Sequence, residues 1–249
     1  MSPYFPYTLD TGQPPTFGLI VLSVDETLED DFRHLIAPKT ARLHITRIPS
    51  GAELTPETIA QMAHDLPAAA ALLPKEARFD AIAYACTSGT ALIGAHRVTE
   101  LIKANATAAA VTTPLTAALS AIHHLRLKRV GIVSPYISSV AAPIRAAFEA
   151  TGLLVPATLS FGEEVEARVA RISATSIMEA ATDLAQQAEL DGIFLSCTNL
   201  RTLGVIDALE AKLGVPVLSS NQCLAWHMAR LSGLEGKMPP VGRLLSQTP

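Results

Sequence analysis

Two nine-residue segments of this chain read as copies of each other. Phe79-Asp80-Ala81-Ile82-Ala83-Tyr84-Ala85-Cys86-Thr87 lies over Leu190-Asp191-Gly192-Ile193-Phe194-Leu195-Ser196-Cys197-Thr198, with Cys86 and Cys197 offset by 111 positions. Two flanking pieces repeat in the same order. Phe17-Gly18-Leu19-Ile20-Val21 lies over Val130-Gly131-Ile132-Val133 at an offset of 113, and Val111-Thr112-Thr113 over Leu218-Ser219-Ser220 at 107. Apolar strands resemble one another, so one match alone carries little. Three in order predict two homologous halves.

Short apolar runs alternate with helical periodicity along the whole chain, the pattern of βαβ units with a parallel sheet buried on both faces. The predicted strands are Phe17–Leu22, Arg42–Ile48, Ala81–Ala85, Ala108–Thr112, Arg129–Val133, Leu153–Leu159, Gly192–Ser196 and Val215–Ser219. Between them, sets such as Ile59, Met62, Ala63, Leu66 and Ile177, Ala180, Ala181, Leu184 keep helical spacing. The expected fold is α/β, two similar parallel-sheet halves related by duplication. One unit would comprise residues 16–116 plus 217–249 and the other 117–216, with residues 1–15 an extended arm. Ligands of parallel α/β sheets bind beyond the carboxyl ends of the strands. Both cysteines fall there, each ahead of an expected helix, so two facing halves would point them into one cleft.

Composition narrows the partners. A net charge of −4, with no basic run, argues against nucleic acid and anionic membranes. Mean hydropathy is positive (+0.31), but the apolar runs are strand-sized and far short of a membrane span. The first fifteen residues lack a basic segment followed by an apolar one, so no signal peptide is expected. Three cysteines are no disulfide framework, and a cytoplasmic location is expected. Gly18 and Gly131 lack the rest of a dinucleotide fingerprint, no phosphate loop is present, and no histidines have zinc-ligand spacing. No cofactor or metal is expected.

Two thiols facing one carbon suit proton removal from one side and return from the other, provided their titration lies near neutrality. Thr87, Ser88, Gly89 and Thr90 follow Cys86, and Thr198 and Asn199 follow Cys197. Such residues leave free backbone N–H groups that can stabilise a thiolate or hold a carboxylate. Each cysteine alone reads equally as a buried, inert strand-end residue; the shared context makes the pair catalytic candidates. Cys223, in a predicted helix Asn221–Leu231, reads as core. Tyr136, at a strand end, can donate to a substrate oxygen or pack as a half-buried tyrosine. Asp25 can line the cleft or cap a helix Glu26–Ile36. Glu166 and Arg168, in a polar connection, read on their own as solvated charges.

These motifs resemble the aspartate/glutamate racemase superfamily, in its maleate cis–trans isomerase and arylmalonate decarboxylase branch. The resemblance spans nearly the whole chain beyond Thr16. It is carried by Gly18-Leu19-Ile20-Val21, Tyr84-Ala85-Cys86-Thr87-Ser88-Gly89-Thr90, Val133-Ser134-Pro135-Tyr136, Val169-Ala170-Arg171-Ile172 and Leu195-Ser196-Cys197-Thr198-Asn199-Leu200-Arg201-Thr202. It implies two similar α/β domains with the site between them, a nucleophile at Cys86 and an acid at Cys197. Decarboxylases of the branch carry glycine at the first cysteine position, so two cysteines imply an isomerase or racemase. Maleate isomerases carry asparagine where this chain has Asp25, and a second substrate-binding asparagine becomes Glu166. The histidine that follows the second cysteine in racemases is absent, since Asn199 and Leu200 follow Thr198. Carboxylates in place of amides would repel a dicarboxylate and favour an ammonium group. A related branch belongs to ectoine utilisation, whose intermediates are diamino acids. The implied function is a cofactor-independent isomerase or racemase of a small, amino-bearing carboxylate. Maleate isomerisation, arylmalonate-type decarboxylation and non-catalytic carboxylate binding are the alternatives. Asp25, Thr87, Ser88, Tyr136, Glu166, Thr198 and Asn199 are the expected substrate contacts, and a homo-oligomer is expected.

Overall fold

A computed structural model describes residues 4–10, 12–53 and 55–246. The first half of the chain runs β1 (Thr16–Leu22), α1 (Leu28–Leu35), β2 (Arg42–Ile48), α2 (Pro56–Ala70), β3 (Phe79–Ala85), α3 (Thr87–Ile93), α4 (Ala95–Lys103), β4 (Ala108–Thr112) and α5 (Pro114–His124). The second runs β5 (Val130–Tyr136), α6 (Ser138–Glu149), β6 (Thr158–Glu163), α7 (Glu166–Val169), α8 (Ala174–Gln187) and β7 (Gly192–Leu195). A 3-10 turn (Leu203–Val205), α9 (Ile206–Leu213), β8 (Val217–Ser219), α10 (Ser220–Leu231) and α11 (Gly242–Ser246) complete it. The described part of the predicted arm carries neither helix nor strand, and Phe5, Tyr7 and Leu9 are exposed; residues 1–3 and 11 lie outside the described residues.

The strands form two four-stranded parallel sheets, ordered β2-β1-β3-β4 and β6-β5-β7-β8. The orders are identical once β1 is laid on β5, and the register repeats as well. Ile20 pairs with Tyr84 and Val133 with Leu195, the same partners under the two sequence offsets. Central strands β1, β3, β5 and β7 are almost wholly buried, as strands covered on both faces must be, while edge strands β2 and β6 are partly exposed. The duplicated aspartates do one job. Asp80 accepts the Thr16 N–H at 2.7 Å and Asp191 the Arg129 N–H at 2.9 Å, each fixing the start of its central strand. Gly131 marks a close approach: a Cβ there would stand 2.8 Å from Leu184 Cδ2 on α8 and 2.7 Å from Leu190 Cδ1.

Three expectations need correction. Pairing expected over Leu153–Leu159 occurs instead at Thr158–Glu163, because Pro156 has no N–H to give a ladder; only Leu154 makes an isolated bridge, with Arg129. The helix expected from Glu26 begins at Leu28. Residues 217–219, placed with the first unit, pair with β7 in the second sheet. The helix that follows them, α10, packs on α5, α1 and β3 of the first half. Among the described residues no helix is long and apolar enough to cross a membrane.

Candidate functional site

All the expected site residues come together at the carboxyl ends of the central strands. Asp25 follows β1, Cys86 follows β3, Tyr136 ends β5 and Cys197 follows β7. Glu166 opens α7, the short helix after β6. Both cysteines, Asp25, Thr87, Ser88, Tyr136, Glu166, Thr198 and Asn199 are each no more than 3% exposed. Glu166 is therefore not a solvated charge, whereas Arg168 is exposed and pairs with Glu163.

Hydrogen bonds stitch the halves together here. The Thr198 hydroxyl donates to the Ala85 carbonyl at 3.3 Å. Asn199 Oδ1 accepts the Glu26 N–H at 2.8 Å, and its carbonyl accepts the Thr27 hydroxyl at 2.9 Å. Ser220, which is not among the residues expected from the motifs, stands between the two cysteine segments. Its hydroxyl accepts the Cys197 N–H at 3.0 Å and lies 2.9 Å from the Thr87 hydroxyl. The sequence does carry a signal for it, because Ser220 is the repeat counterpart of Thr113, at a strand end facing the cleft. Asn221, likewise unexpected, donates to the Thr198 carbonyl at 2.8 Å and to Asp31 at 2.7 Å.

The two thiols are matched in position and differ in backbone. Cys86 caps the N-terminus of α3 in an extended conformation, and its sulfur accepts the Gly89 N–H at 3.2 Å. Gly89 permits that approach, since a Cβ there would lie 2.9 Å from the sulfur and 2.5 Å from the Tyr84 hydroxyl. No helix follows Cys197 directly, contrary to expectation; residues 198–202 form an irregular turn. Cys197 has φ of 111°, a strained value for a residue with a side chain, and its sulfur accepts the Asn199 N–H at 3.2 Å. Both cysteines are free, as is Cys223, buried in α10.

The expectation of near-neutral thiols needs correction. Burial pushes Cys86 up to about 11 and Cys197 well above the ordinary thiol range, and the contacts to Ser88 and the Gly89 N–H at one sulfur and to Tyr136 and the Asn199 N–H at the other do not offset it. The Glu166 carboxylate pushes both in the same direction. Burial also raises Asp25 and Glu166 above the ordinary carboxylate range. Asp25 holds the helix start, as one reading of it required. Its Oδ1 accepts the Thr27 and Leu28 N–H groups at 2.9 and 2.8 Å, holding the start of α1. Its Oδ2 is buried without a hydrogen-bond partner among the described residues. Glu166 is fully engaged: Tyr136 donates to Oε1 at 2.7 Å and Asn199 Nδ2 to Oε2 at 2.8 Å. The Tyr136 hydroxyl also lies 2.8 Å from the Cys197 sulfur.

This geometry can be set beside known proteins. A family model described as arylmalonate decarboxylase matches residues 49–245. The chain belongs to the arylmalonate decarboxylase family. Within that family's neighbourhood, arylmalonate decarboxylase of Bordetella bronchiseptica is 36% identical over 146 residues, 57% of this chain and 60% of that relative's length. Maleate isomerase of Nocardia farcinica is 27% identical over 241 residues, 92% of this chain and 95% of the relative. A solved structure of Nocardia farcinica maleate cis-trans isomerase, a cysteine-to-serine mutant with a covalently bound succinylcysteine intermediate, superposes with a TM-score of 0.86. Its identity is 25%, covering 94% of this chain and 99% of that one. A liganded arylmalonate decarboxylase mutant, with one glycine changed to cysteine and one cysteine to serine, gives 0.84 at 27% identity, covering 94% and 100%. The family and the two-sheet α/β fold drawn from the motifs are thus both shown.

Proposed function

We propose that this member of the family is a cofactor-independent isomerase that uses Cys86 and Cys197 on a small carboxylate bearing an amino group. One thiolate takes the proton next to the carboxylate and the other thiol returns one from the opposite face. The observation that carries the reading is Asp25 Oδ2, a buried carboxylate oxygen near Cys197 that makes no hydrogen bond among the described residues. The Thr198 hydroxyl is close to Asp25 but donates to the Ala85 carbonyl, and Arg47 acts on Asp25 as a nearby charge. A buried carboxylate left in that state calls for a cation or donor from the ligand. A substrate ammonium supplies both. It also lowers the thiol pKa values that burial raises, so the substrate helps to form the base that acts on it. Ser88, 3.6 Å from the Cys86 sulfur, and Thr87 and Thr198, which follow the two cysteines in sequence, would receive the carboxylate end.

Maleate isomerisation is the second reading. It is favoured by near full-length similarity to Nocardia farcinica maleate isomerase and by the succinylcysteine seen in that enzyme's mutant. Turnover of maleate, an arylmalonate and a panel of amino and diamino acids separates the readings. The expected result is racemisation or isomerisation of an amino substrate, with maleate at least tenfold poorer in kcat/KM, from one carboxylate–ammonium contact. Preference for maleate would overturn it. The Asp25→Asn variant should narrow the gap from both sides, losing on the amino substrate and gaining on maleate.

A further inference from the structure

We propose that Glu166 is the terminal proton acceptor of a relay that starts at the Cys197 thiol, passes through the Tyr136 hydroxyl and so generates the Cys197 thiolate. The three groups form a continuous chain, 2.8 Å from sulfur to phenol oxygen and 2.7 Å from phenol oxygen to Glu166 Oε1. Tyr136 has one proton. When it donates that proton to Glu166, the only donor left for the sulfur–oxygen contact is the thiol, so the chain is already polarised from Cys197 towards Glu166.

The motifs cast Glu166 as a substrate ligand, and the geometry assigns it elsewhere. Oε2 is held by Asn199 Nδ2, which also bonds the Glu166 carbonyl at 3.0 Å, and the Glu166 N–H donates to Ala52 at 3.0 Å. With both oxygens and its backbone engaged inside the protein, Glu166 acts on substrate through Tyr136 and Cys197. Asp25 is the carboxylate with an oxygen to spare.

The transfer balances. The Sγ–H bond of Cys197 breaks as a proton reaches the Tyr136 oxygen, while the original Tyr136 O–H breaks and Oε1–H forms. Thiol, phenol and carboxylate become thiolate, phenol and carboxylic acid, with no change in net charge. The thiolate then takes the substrate proton while the Cys86 thiol gives its own to the opposite face, which leaves Cys197 a thiol, Cys86 a thiolate and Glu166 the acid. The Glu166 proton is released to solvent and Cys86 takes one up when the site opens, restoring the starting state. Burial raises Glu166 above the ordinary carboxylate range, which makes it a stronger proton acceptor than a solvated carboxylate. Asp25 and Cys86 also face this cluster, with Tyr84 behind Cys86 and Arg47 acting on Asp25.

For its catalytic consequence the relay rests on the proposed two-thiol function, but thiolate formation can be measured with no substrate present. The test is iodoacetamide alkylation of Cys197, followed by peptide mass mapping, across roughly pH 6 to 9, the range in which thiolate reactivity is ordinarily read. Cys197, Tyr136 and Glu166 all belong to the second half, so the relay stays whole when the cleft opens to reagent. A thiolate made by internal transfer has a population independent of pH while Glu166 is ionised and Cys197 protonated. The wild-type rate should therefore pass through a flat region. In Glu166→Gln and in Tyr136→Phe it should instead rise about tenfold per pH unit throughout, as a simple thiol does. Asp25→Asn should keep the flat region. Tyr136→Phe decides the matter if Glu166→Gln does not fold. A wild-type profile without a flat region, or one that survives in both variants, overturns the relay. On whichever substrate is turned over, Glu166→Gln should lower kcat roughly 10²-fold or more, the scale of general acid–base catalysis, with KM little changed. A raised KM with kcat intact overturns the relay by making Glu166 a ligand. Absence of turnover on every carboxylate would sink the proposed function, while the alkylation profile would still uphold or overturn the relay by itself.

Discussion

Cys86 and Cys197 were legible in the sequence because a similar strand end, closing on Cys-Thr, occurs twice; what separates them was not. Backbone strain leaves no compositional mark unless glycine carries it, and Cys197 holds φ of 111° without glycine. The strain is testable by a reversal of sign. Alanine normally exceeds glycine in stability by roughly 0.5–1 kcal/mol. At Cys86, which is extended, Cys86→Ala should be the more stable member of its Ala/Gly pair. At Cys197 the order should invert, with Cys197→Gly more stable than Cys197→Ala by about 1 kcal/mol, since glycine alone adopts that φ without cost. Urea unfolding of the four variants measures both differences at once. The usual order at both positions would show that the turn relaxes and stores no strain at the site. The burial of Glu166 was illegible for another reason. A glutamate in a polar connection reads as solvated, and only tertiary structure places Tyr136 and Asn199 on its two oxygens.

At the scale of elements, the central strands were readable because burial on both faces forces continuous apolar runs, while β6 was misplaced by a run that Pro156 interrupts. The polar tie between α1 and α10 was invisible, because it joins residues 190 apart in sequence. Asp31 on α1 accepts from Asn221 Nδ2 at 2.7 Å, and burial pushes Asp31 up from 3.8 to about 6. The sign follows from linkage. The folded state binds this proton more tightly than the unfolded chain, so stability is lost as pH rises from about 4 through 6 and levels off above. Asp31→Asn keeps an acceptor for Asn221 and removes the titration. It should match wild type near pH 4 and exceed it at pH 8 by on the order of 1–3 kcal/mol. Denaturant unfolding at the two pH values checks this. Asp25 and Glu166, also raised by burial, should leave a residual slope of the same sign in the variant. Equal pH dependence in both proteins would mean that Asp31 titrates as an ordinary carboxylate.

For the whole molecule, the site is closed: neither thiol is more than 2% exposed, so reagent or substrate reaches them only when the halves part. Besides the hydrogen bonds of Thr198 and Asn199 to Ala85, Glu26 and Thr27, three further contacts cross between the halves among the described residues. Glu53 bridges Val165, Ala52 accepts the Glu166 N–H at 3.0 Å, and Glu26 pairs with Arg171 at 2.9 Å. The first two are backbone contacts and resist side-chain substitution, whereas the ion pair is exposed and can be removed alone. Exposed pairs are weak and screened by salt, which makes this one suited to setting a low, adjustable opening probability. Arg171→Met should speed alkylation of Cys86 and Cys197 together by a few fold, a size in keeping with a surface pair. Equal factors at both sulfurs are the mark of a shared opening, because a local effect at one turn would favour one thiol. Raising the salt to about 0.5 M should accelerate the wild type towards the variant and leave the variant unmoved, since screening acts on a pair the variant lacks. Buried Cys223, inside α10, serves as the internal control and should stay unreactive in both proteins. Acceleration confined to one sulfur, or a salt effect that persists in Arg171→Met, would take the Glu26–Arg171 pair out of the gate and leave closure to the hydrogen bonds and the backbone bridge that join the halves.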